Sequence, residues 1–294
     1  MTASIGAHLT TAASAVLPPG MKRRLKQLAR TCDRMLWPFT PADFRRALLE
    51  VGVAPGDRLM VHSSFDSFRA FRGGPADVVR TLQEVVSPGG TLLMPTVPFR
   101  RTAVEYALGD PVFDARRTPS RMGLVTEVFR RSSGVVRSLH PTHSVAAWGS
   151  RADAIIAGHE RTLTPCGRQT PYGRLLEYDG KILLAGVPPN TITFCYFVAE
   201  ELAPRLSFPV FTAETYPLRW KDGDGRVHVS HLRLFSPRID HDLTPLVDEL
   251  KRRQQWREGR VGRLRLMLLR AHDVYDAALA LADKGLFVRE RPGA

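Results

Sequence analysis

The chain has 294 residues, of which 44% are hydrophobic and 24% charged, and these are ordinary values for a globular protein. Its length allows one large domain or two small ones. The three cysteines, Cys32, Cys166 and Cys195, form no CxxC pair, which argues against a structural zinc site and favours a reducing compartment. We therefore expect a cytoplasmic protein without a bound metal.

The charge is strongly basic, because 42 Lys and Arg residues stand against 29 Asp and Glu residues and give a formal net charge of +13. The basic residues are scattered along the chain, without the spacing of a zinc finger or the signature of an RNA-binding motif. A phosphorylated small ligand explains this charge at least as well as nucleic acid does. No apolar run approaches the roughly 20 residues that a membrane span requires. The composition thus predicts neither a nucleic-acid partner nor a membrane partner.

The domain organisation predicted from the sequence is a basic arm over residues 1–36, followed by a single domain over residues 37–294. Within the arm, Met21–Leu36 could form a short amphipathic helix. Basic residues follow the mildly apolar stretch Ala12–Leu17 instead of preceding it, which is the wrong order for a signal peptide.

The elements of the domain begin with a helix through Val51, for which Thr40 is a good N-cap and Pro41 a good first residue. A βαβ unit follows, and such a unit implies parallel strands. Its parts are strand Asp57–His62, helix Ala76–Val86 and strand Thr91–Met94.

The rest of the chain continues the alternation of strands and helices and then changes to a hairpin and two helices. The predicted elements are helix Gly123–Arg131, strand Val145–Trp148, helix Arg151–Gly158, strand Lys181–Val187, helix Thr193–Leu202, an antiparallel hairpin of Tyr216–Trp220 with Arg226–Leu234, and two terminal helices, Leu243–Gln255 and Leu264–Lys284. The predicted fold class is α/β: a largely parallel or mixed central sheet flanked by helices, with a β-hairpin excursion and two C-terminal helices.

The segment Arg137–Gly149 (RSLHPTHSVAAWG) concentrates polar side chains just before a buried strand. His140 and His143 lie in it beside Ser138 and Ser144, and imidazoles at a strand edge can move protons or bind an acyl carrier near neutral pH. The alternative is a turn whose Ser and His side chains only satisfy backbone groups. A zinc site lacks a third ligand near the two histidines, and the chain has no GxSxG nucleophile elbow.

The order of motifs along the chain resembles the aminoglycoside 3-N-acetyltransferase family, from about Thr40 to about Gly285. The matching motifs are Gly56-Asp57, Val61–Ser64, Gly90–Thr96, Phe113-Asp114, Thr118–Gly123, Glu127–Arg130, Arg137–Gly149, Gly167–Pro171, Gly180–Val187 and Asn190–Thr193. The resemblance implies a non-GNAT enzyme that acetylates an amine with acetyl-CoA.

The resemblance also implies where the acyl-CoA lies. It would lie against the backbone and hydroxyls after the first strand, in a cleft that Thr118–Gly123 and Ser138–Ser144 also line. Hydroxyls and free N–H groups at the carboxyl edge of a parallel sheet suit an anionic cofactor. The cofactor-binding residues expected from it are Ser63, Ser64, Phe65, Ser120, Met122, Gly123, Ser138 and Ser144.

Two departures from the family pattern concern catalysis. Arg168 stands where the family has an acidic residue in Gly-Glu-Gly-Ser-Pro, and Tyr196 stands where a gapless count places the family's catalytic histidine. The family's acidic residue three positions on becomes Ala199, or Glu200 with a shift of one residue. An alkylammonium with a pKa of about 10 needs a base before it can attack, and neutral tyrosine is a poor base at pH 7.

Three interpretations of the altered site remain open. The base could have moved to His143 or His140, with Glu200 or Glu201 in support and Tyr196 nearby; the acceptor could be an easier amine; or the protein could be a silent relative that binds a ligand or a partner. We predict an acyl-CoA-dependent N-acyltransferase that acts on an amine of an amino sugar, aminoglycoside or related small molecule. Its partners would be that amine and acyl-CoA, and the chain is compatible with a homodimer.

Overall fold

The architecture comes from a computed structural model that describes residues 35–240 and 242–291, together with residues 20, 21 and 33. Most of the helix predicted over Met21–Leu36, and with it most of the predicted arm, lies outside the described residues. Within the described part of the chain, no helix has the length and apolar character needed to cross a bilayer.

The helices of the domain include the predicted ones, apart from the first part of the last, and two that were not predicted, Ala103–Leu108 and Pro171–Glu177. They are α1 (Pro41–Val51), α2 (Pro75–Val86), α3 (Ala103–Leu108), α4 (Leu124–Phe129), α5 (Ala152–Ile156), α6 (Pro171–Glu177), α7 (Phe194–Leu202), α8 (Thr244–Arg252) and α9 (Ala271–Ala282). The start of α1 confirms the capping prediction. Thr40 Oγ1 accepts the Asp43 N–H at 3.2 Å, and the Asp43 carboxylate accepts the Thr40 N–H at 2.9 Å.

The strands form one large sheet and two small ones. They are β1 (Arg58–Ser63), β2 (Thr91–Pro95), β3 (Val112–Asp114), β4 (Val136–Arg137), β5 (Val145–Gly149), β6 (Lys181–Ala185), β7 (Tyr216–Lys221), β8 (Val227–Leu232), β9 (Ile239–Asp240), β10 (Arg257–Val261), β11 (Leu264–Arg270) and β12 (Arg289–Glu290). The seven-stranded sheet has the order β10-β11-β6-β1-β2-β5-β4. Its centre, β6-β1-β2, is parallel, and the outer pairs are antiparallel. The predicted mixed α/β sheet is confirmed.

Helices cover both faces of this sheet. One face carries α5 to α9, with fully buried side chains such as Tyr172, Phe194 and Phe197. The other face carries α1, α2 and α4, with Phe44, Leu82 and Phe129 in its core. The central strands are buried on both sides, and they therefore show continuous apolar runs without alternation.

The predicted hairpin excursion is also present. Strands β7 and β8 pair antiparallel, and β7 pairs in parallel with β3 to make a separate three-stranded sheet. Helix α3 packs on this sheet through Ala103 and Ala107.

The prediction of a terminal helix over Leu264–Lys284 is wrong in its first part, because Leu264–Arg270 is strand β11. Leucine, methionine and arginine are good helix formers, but this segment pairs with β6 and buries side chains on both sheet faces. The sharp reversal from β10 runs through Gly262, whose φ of +55° suits glycine. Tertiary pairing thus overrides local propensity, and only Ala271–Ala282 is helical.

Candidate active site

One edge of the large sheet gathers most of the segments singled out from the sequence. The parallel strands β1, β2 and β6 all end there, and the antiparallel strand β5 begins there. Ser63 pairs with Ala185 and Pro95 with Val145 across this edge. The loops after β1, β2 and β6 and the loop before β5 are therefore neighbours, as the carboxyl edge of an α/β sheet requires of a binding site.

The loop before β5 is anchored at both ends by hydrogen bonds. The Ser138 N–H donates to the Val145 carbonyl at 2.9 Å, and the Val145 N–H donates to Ser138 Oγ at 2.9 Å. At the other strand, the Thr96 N–H donates to the Ser144 carbonyl at 2.7 Å. These bonds hold residues 139–143 as a fixed turn over the sheet edge.

His143 lies in this turn with its ring among aromatic side chains. The ring centroid is 5.7 Å from Phe99, 5.9 Å from Tyr196 and 5.7 Å from Phe235. The residue is 5% exposed, and burial lowers the pKa of His143 to about 4. The imidazole is therefore neutral at pH 7 and has one nitrogen available as a proton acceptor.

His140 is fully buried behind His143. Its ring stacks on His159 at 4.4 Å, and its Nδ1 accepts the backbone N–H groups of Thr142 at 3.3 Å and His143 at 3.1 Å. Burial, with smaller contributions from His159 and His143, holds the pKa of His140 well below its usual value. The structure thus gives His140 the task of shaping the turn.

Tyr196 extends from α7 to the same place. Its ring lies 4.8 Å from Phe235 as well as beside His143. Burial raises the pKa of Tyr196, so its hydroxyl keeps its proton at pH 7. Burial likewise raises the pKa of the neighbouring thiol of Cys195, which is therefore a packing group and no nucleophile.

Glu200, one turn further along α7, contacts a different loop. Its carboxylate accepts hydrogen bonds from the Thr164 hydroxyl and, at 3.1 Å, from the Cys166 N–H. Burial raises the pKa of Glu200 to about 7. Among the described residues, no hydrogen bond joins Glu200 to either His140 or His143. Glu201 forms an ion pair with Arg168, the residue that replaces the family's acid.

The end of β1 presents polar atoms without partners. Ser63 Oγ and His62 Nε2 are buried and form no hydrogen bond. Both residues line a cavity of about 50 Å³, whose other walls include Met122 and Thr191. Unpartnered buried polar atoms are rare in proteins and call for a ligand or water.

The two residues that follow Ser63 contribute a backbone hydrogen bond and an aromatic contact. The Ser64 N–H donates to the Ala185 carbonyl at 3.3 Å. Phe65 begins a short 3-10 helix and stacks on Phe68 at 5.9 Å.

The segment Ser120–Gly123 packs against the end of β1. Ser120 Oγ accepts the Met122 N–H at 3.1 Å, and the Ser120 N–H donates to Glu127 at 2.8 Å. Gly123 has a φ of +116°, and a Cβ there would lie 3.5 Å from the Ser63 carbonyl. This distance is an ordinary contact, so it is the positive φ that favours glycine at this position.

The two serines of the loop before β5 are turned inward. Ser144 Oγ is fully buried and bonds Thr96 and Arg137, while Ser138 Oγ bonds His159 Nδ1 at 2.9 Å. The structure does not bring either hydroxyl to Ser63. Arg137 fixes this region: its guanidinium donates to the Thr96 carbonyl at 2.6 Å and to the Thr118 carbonyl at 2.6 Å. Burial and the nearby Arg130 lower the pKa of Arg137 to about 9.

A larger cleft, of about 870 Å³, lies elsewhere, between β4 and the tip of the β7–β8 hairpin. Ser138 and Arg137 line it, but His143, Tyr196 and Ser63 do not. The partnerless atoms of His62 and Ser63 and the imidazole of His143 are at the sheet edge and not in this cleft. In the described part of the chain, no cluster of three His, Cys, Asp or Glu side chains could hold a metal ion.

Several residues of this edge were not identified from the sequence. His62 directly precedes the two serines, and its position at a strand end could have marked it. Thr142 lies between the two histidines that drew attention. Phe99 and Phe235 carry no local signal, because only the fold brings them to His143.

Comparison with known proteins settles the family. The family model described as aminoglycoside 3-N-acetyltransferase matches residues 60–282. The chain belongs to this family. Aminoglycoside N(3)-acetyltransferase IV of a Salmonella species is 33% identical over 250 residues, which cover 83% of this chain and 88% of the relative. Aminoglycoside N(3)-acetyltransferase VII of Streptomyces paromomycinus is 28% identical over 279 residues, covering 87% and 96%.

Solved structures of family members share the fold. The apoenzyme of aminoglycoside acetyltransferase AAC(3)-IVa superposes with a TM-score of 0.70 at 30% identity, over 86% of this chain and 92% of that one. AAC(3)-Xa gives a TM-score of 0.75 at 26% identity, over 89% and 99%. AAC-IIIb, solved with CoASH, gives 0.71 at 24% identity over 85% and 98%, and this likeness concerns the fold.

The family assignment confirms the prediction of an N-acetyltransferase enzyme. The comparisons give no support to the alternative of a catalytically silent relative.

Proposed function

We propose that this family member transfers the acyl group of acetyl-CoA, or of another acyl-CoA, to an amine of an aminoglycoside or related amino sugar. The observation that carries the proposal is the meeting of two features at one sheet edge. One is the buried, neutral imidazole of His143 beside Tyr196, and the other is the pair of partnerless polar atoms on His62 and Ser63. The reaction requires a base for the amine and polar side chains that can bind a substrate, and these two features supply them.

The donor would lie along Ser63, Ser64 and Phe65 and against Ser120, Met122 and Gly123. The fit of these residues rests on the free Ser63 Oγ and on the cavity of about 50 Å³ beside it, which a ligand group of a few atoms would fill. Ser138 and Ser144 would stabilise the neighbouring loop through their hydrogen bonds to His159, Thr96 and Arg137. Acyl-CoA supplies the acyl group as a thioester.

The proposed reaction is a direct transfer. The ammonium first releases one proton to the solvent. The neutral amine nitrogen then forms a bond to the thioester carbonyl carbon, the carbon–sulfur bond breaks, and its electron pair leaves on the sulfur of CoA. The proton lost by the amine passes to Nε2 of His143 and returns to that sulfur. General-base help of this kind contributes about 10²–10⁴-fold in rate.

The other predicted catalytic residues would assist without taking the proton. Tyr196 keeps its own proton and can donate a hydrogen bond beside His143, while His140 holds the turn from behind. Glu200 positions the loop of Thr164 and Cys166 against α7. The proposed step needs neither a metal ion nor nucleic acid, and a supply of acyl-CoA supports the cytoplasm as the compartment in which the protein acts.

The test is CoA release in the presence of acetyl-CoA and a panel of aminoglycosides and amino sugars. We expect amine-dependent release, acetylated product by mass spectrometry, and CoA binding by calorimetry. His143→Ala should reduce kcat by about 10²-fold or more. Absence of CoA binding would overturn the proposed function, and full activity of His143→Ala would overturn the base assignment alone.

A further inference from the structure

The side chain between the two histidines of the turn connects them. Thr142 Oγ1 lies 3.0 Å from Nδ1 of His143 and 3.3 Å from Nδ1 of His140. Thr142 is fully buried, so these two rings are the partners that its hydroxyl has among the described residues. A hydroxyl carries one proton, and it can therefore donate to only one of the two nitrogens.

The backbone decides which nitrogen can accept that proton. Nδ1 of His140 already receives the N–H groups of Thr142 and His143. A nitrogen that accepts hydrogen bonds carries a lone pair and no proton, so His140 holds its proton on Nε2. Toward the Thr142 hydroxyl, Nδ1 of His140 can act only as an acceptor.

The position of the ring proton on His143 follows from the position of the proton on Thr142. Both contacts of Thr142 are hydrogen bonds at the same time only if its proton is directed at His140 and its oxygen accepts from His143. In that arrangement Nδ1 of His143 carries the proton, and Nε2 carries the lone pair. We propose that Thr142 is a positioning residue that holds His143 in this tautomer and so presents Nε2 as the proton acceptor of the transfer reaction.

This inference rests on the proposed function only for its catalytic consequence, because the tautomer itself is argued from the hydrogen bonds alone. The backbone of His143 is also held, since the Tyr172 hydroxyl donates to the His143 carbonyl at 3.2 Å. A hydrogen bond from Nδ1–H stabilises the imidazolium that forms when Nε2 takes a proton, and it keeps the ring from turning. The base is thus oriented before the substrate arrives.

The groups around His143 leave Thr142 as the hydrogen-bonding partner of Nδ1. The titratable neighbours are Tyr196 from α7 and His140 from the same turn, at ring distances of 5.9 and 6.4 Å, and His159 from the segment after α5, whose pKa His143 helps to lower. Phe99 and Phe235, which pack on the ring from the β2 side and from the segment after β8, are uncharged.

The first experiment measures the tautomer and needs no activity. The full chain is labelled with ¹⁵N-histidine, and the signals of His143, one of nine histidines, are assigned by their loss in His143→Ala. At pH 7.5 we expect the proton on Nδ1 in the wild type and in Thr142→Ser. Thr142→Val, which has nearly the same shape without the hydroxyl, should lose this preference. A proton on Nε2 in the wild type, or no change in Thr142→Val, would overturn the inference.

The second experiment measures the catalytic consequence. Thr142→Val should lower kcat about 10–100-fold with a KM for acetyl-CoA within about twofold of wild type, and Thr142→Ser should restore most of kcat. The acidic limb of the kcat–pH profile should move in Thr142→Val, because the imidazolium loses its hydrogen bond. Equal loss in Thr142→Ser and Thr142→Val, with unchanged pH profiles, would show a purely structural role.

The two experiments separate the two proposals. If the Nδ1 proton is found but no amine is acylated, the proposed function fails and the tautomer assignment stands. If acylation occurs with Nε2 protonated, the function stands and the role of Thr142 is rejected. Thermal unfolding of each variant checks that the turn still folds.

Discussion

The rings of His143 and Tyr196 lie 5.9 Å apart at an angle of 65°, one from the turn before β5 and the other from α7. Where the family resemblance places a histidine, this chain has a protonated tyrosine hydroxyl, and an imidazole lies next to it. The sheet edge therefore carries a neutral imidazole beside the position that Tyr196 occupies.

Tyr196→Phe tests the division of labour between these two rings. The phenol keeps its proton at pH 7, so removing it should cost one hydrogen bond and lower kcat by about tenfold or less. Steady-state kinetics compare the kcat of Tyr196→Phe with that of His143→Ala. A loss as large as that of His143→Ala would instead make the tyrosine the acid–base group.

Ser63→Ala tests the donor site. Ser63 Oγ is buried without a partner, so its removal should leave the free energy of unfolding unchanged or slightly higher. The Kd for acetyl-CoA should rise about 5–10-fold if the hydroxyl binds the donor, because one hydrogen bond contributes about 1 kcal/mol. Calorimetry and thermal unfolding measure the two effects. Unchanged affinity would remove Ser63 from the donor site.

Arg137→Lys tests the buried guanidinium that joins the loop after β2 to the segment before Ser120. Lysine cannot reach the carbonyls of Thr96 and Thr118 together, so we expect a loss of about 2–4 kcal/mol in the free energy of unfolding. The KM for acetyl-CoA should rise, since Ser120–Gly123 would lose its support.

The matched control is Arg131→Lys. The Arg131 side chain is 65% exposed and pairs with Glu127 at 2.9 Å. Its replacement should change stability by no more than about 0.5 kcal/mol. Urea unfolding of both variants measures the difference, and equal effects would contradict the role of Arg137.

Glu200→Gln tests a stability effect that depends on pH. The folded state raises the pKa of Glu200 from 4.5 to about 7, so between these values the folded protein binds more protons than the unfolded chain. The contribution of this carboxyl to stability is therefore full below about pH 4.5 and falls as the pH rises toward 7. In Glu200→Gln, Tm should decline less between pH 5 and 7.5 than in the wild type. Parallel Tm curves would contradict the raised pKa.

Much of the fold could be predicted from local signals. Thr40 and Pro41 mark the start of α1, and the βαβ unit predicts the parallel pairing of β1 with β2. These signals act over a few residues, and the structure keeps them. Leu264–Arg270 could not be predicted in this way, because a strand buried on both faces has no alternation and resembles a helix in composition.

The candidate site was likewise predictable only in part. The sequence by itself determined the family, through motifs in a recognisable order, and it drew attention to the sheet edge, because strand ends carry Ser63 and the turn with His140 and His143. Only the tertiary structure decided which of these side chains face inward, as Ser138 and Ser144 do, and which meet across the edge, as His143 and Tyr196 do. The reason is physical: burial and hydrogen-bond partners come from segments far apart in the chain, and the role of Thr142 depends on which nitrogens those partners leave free.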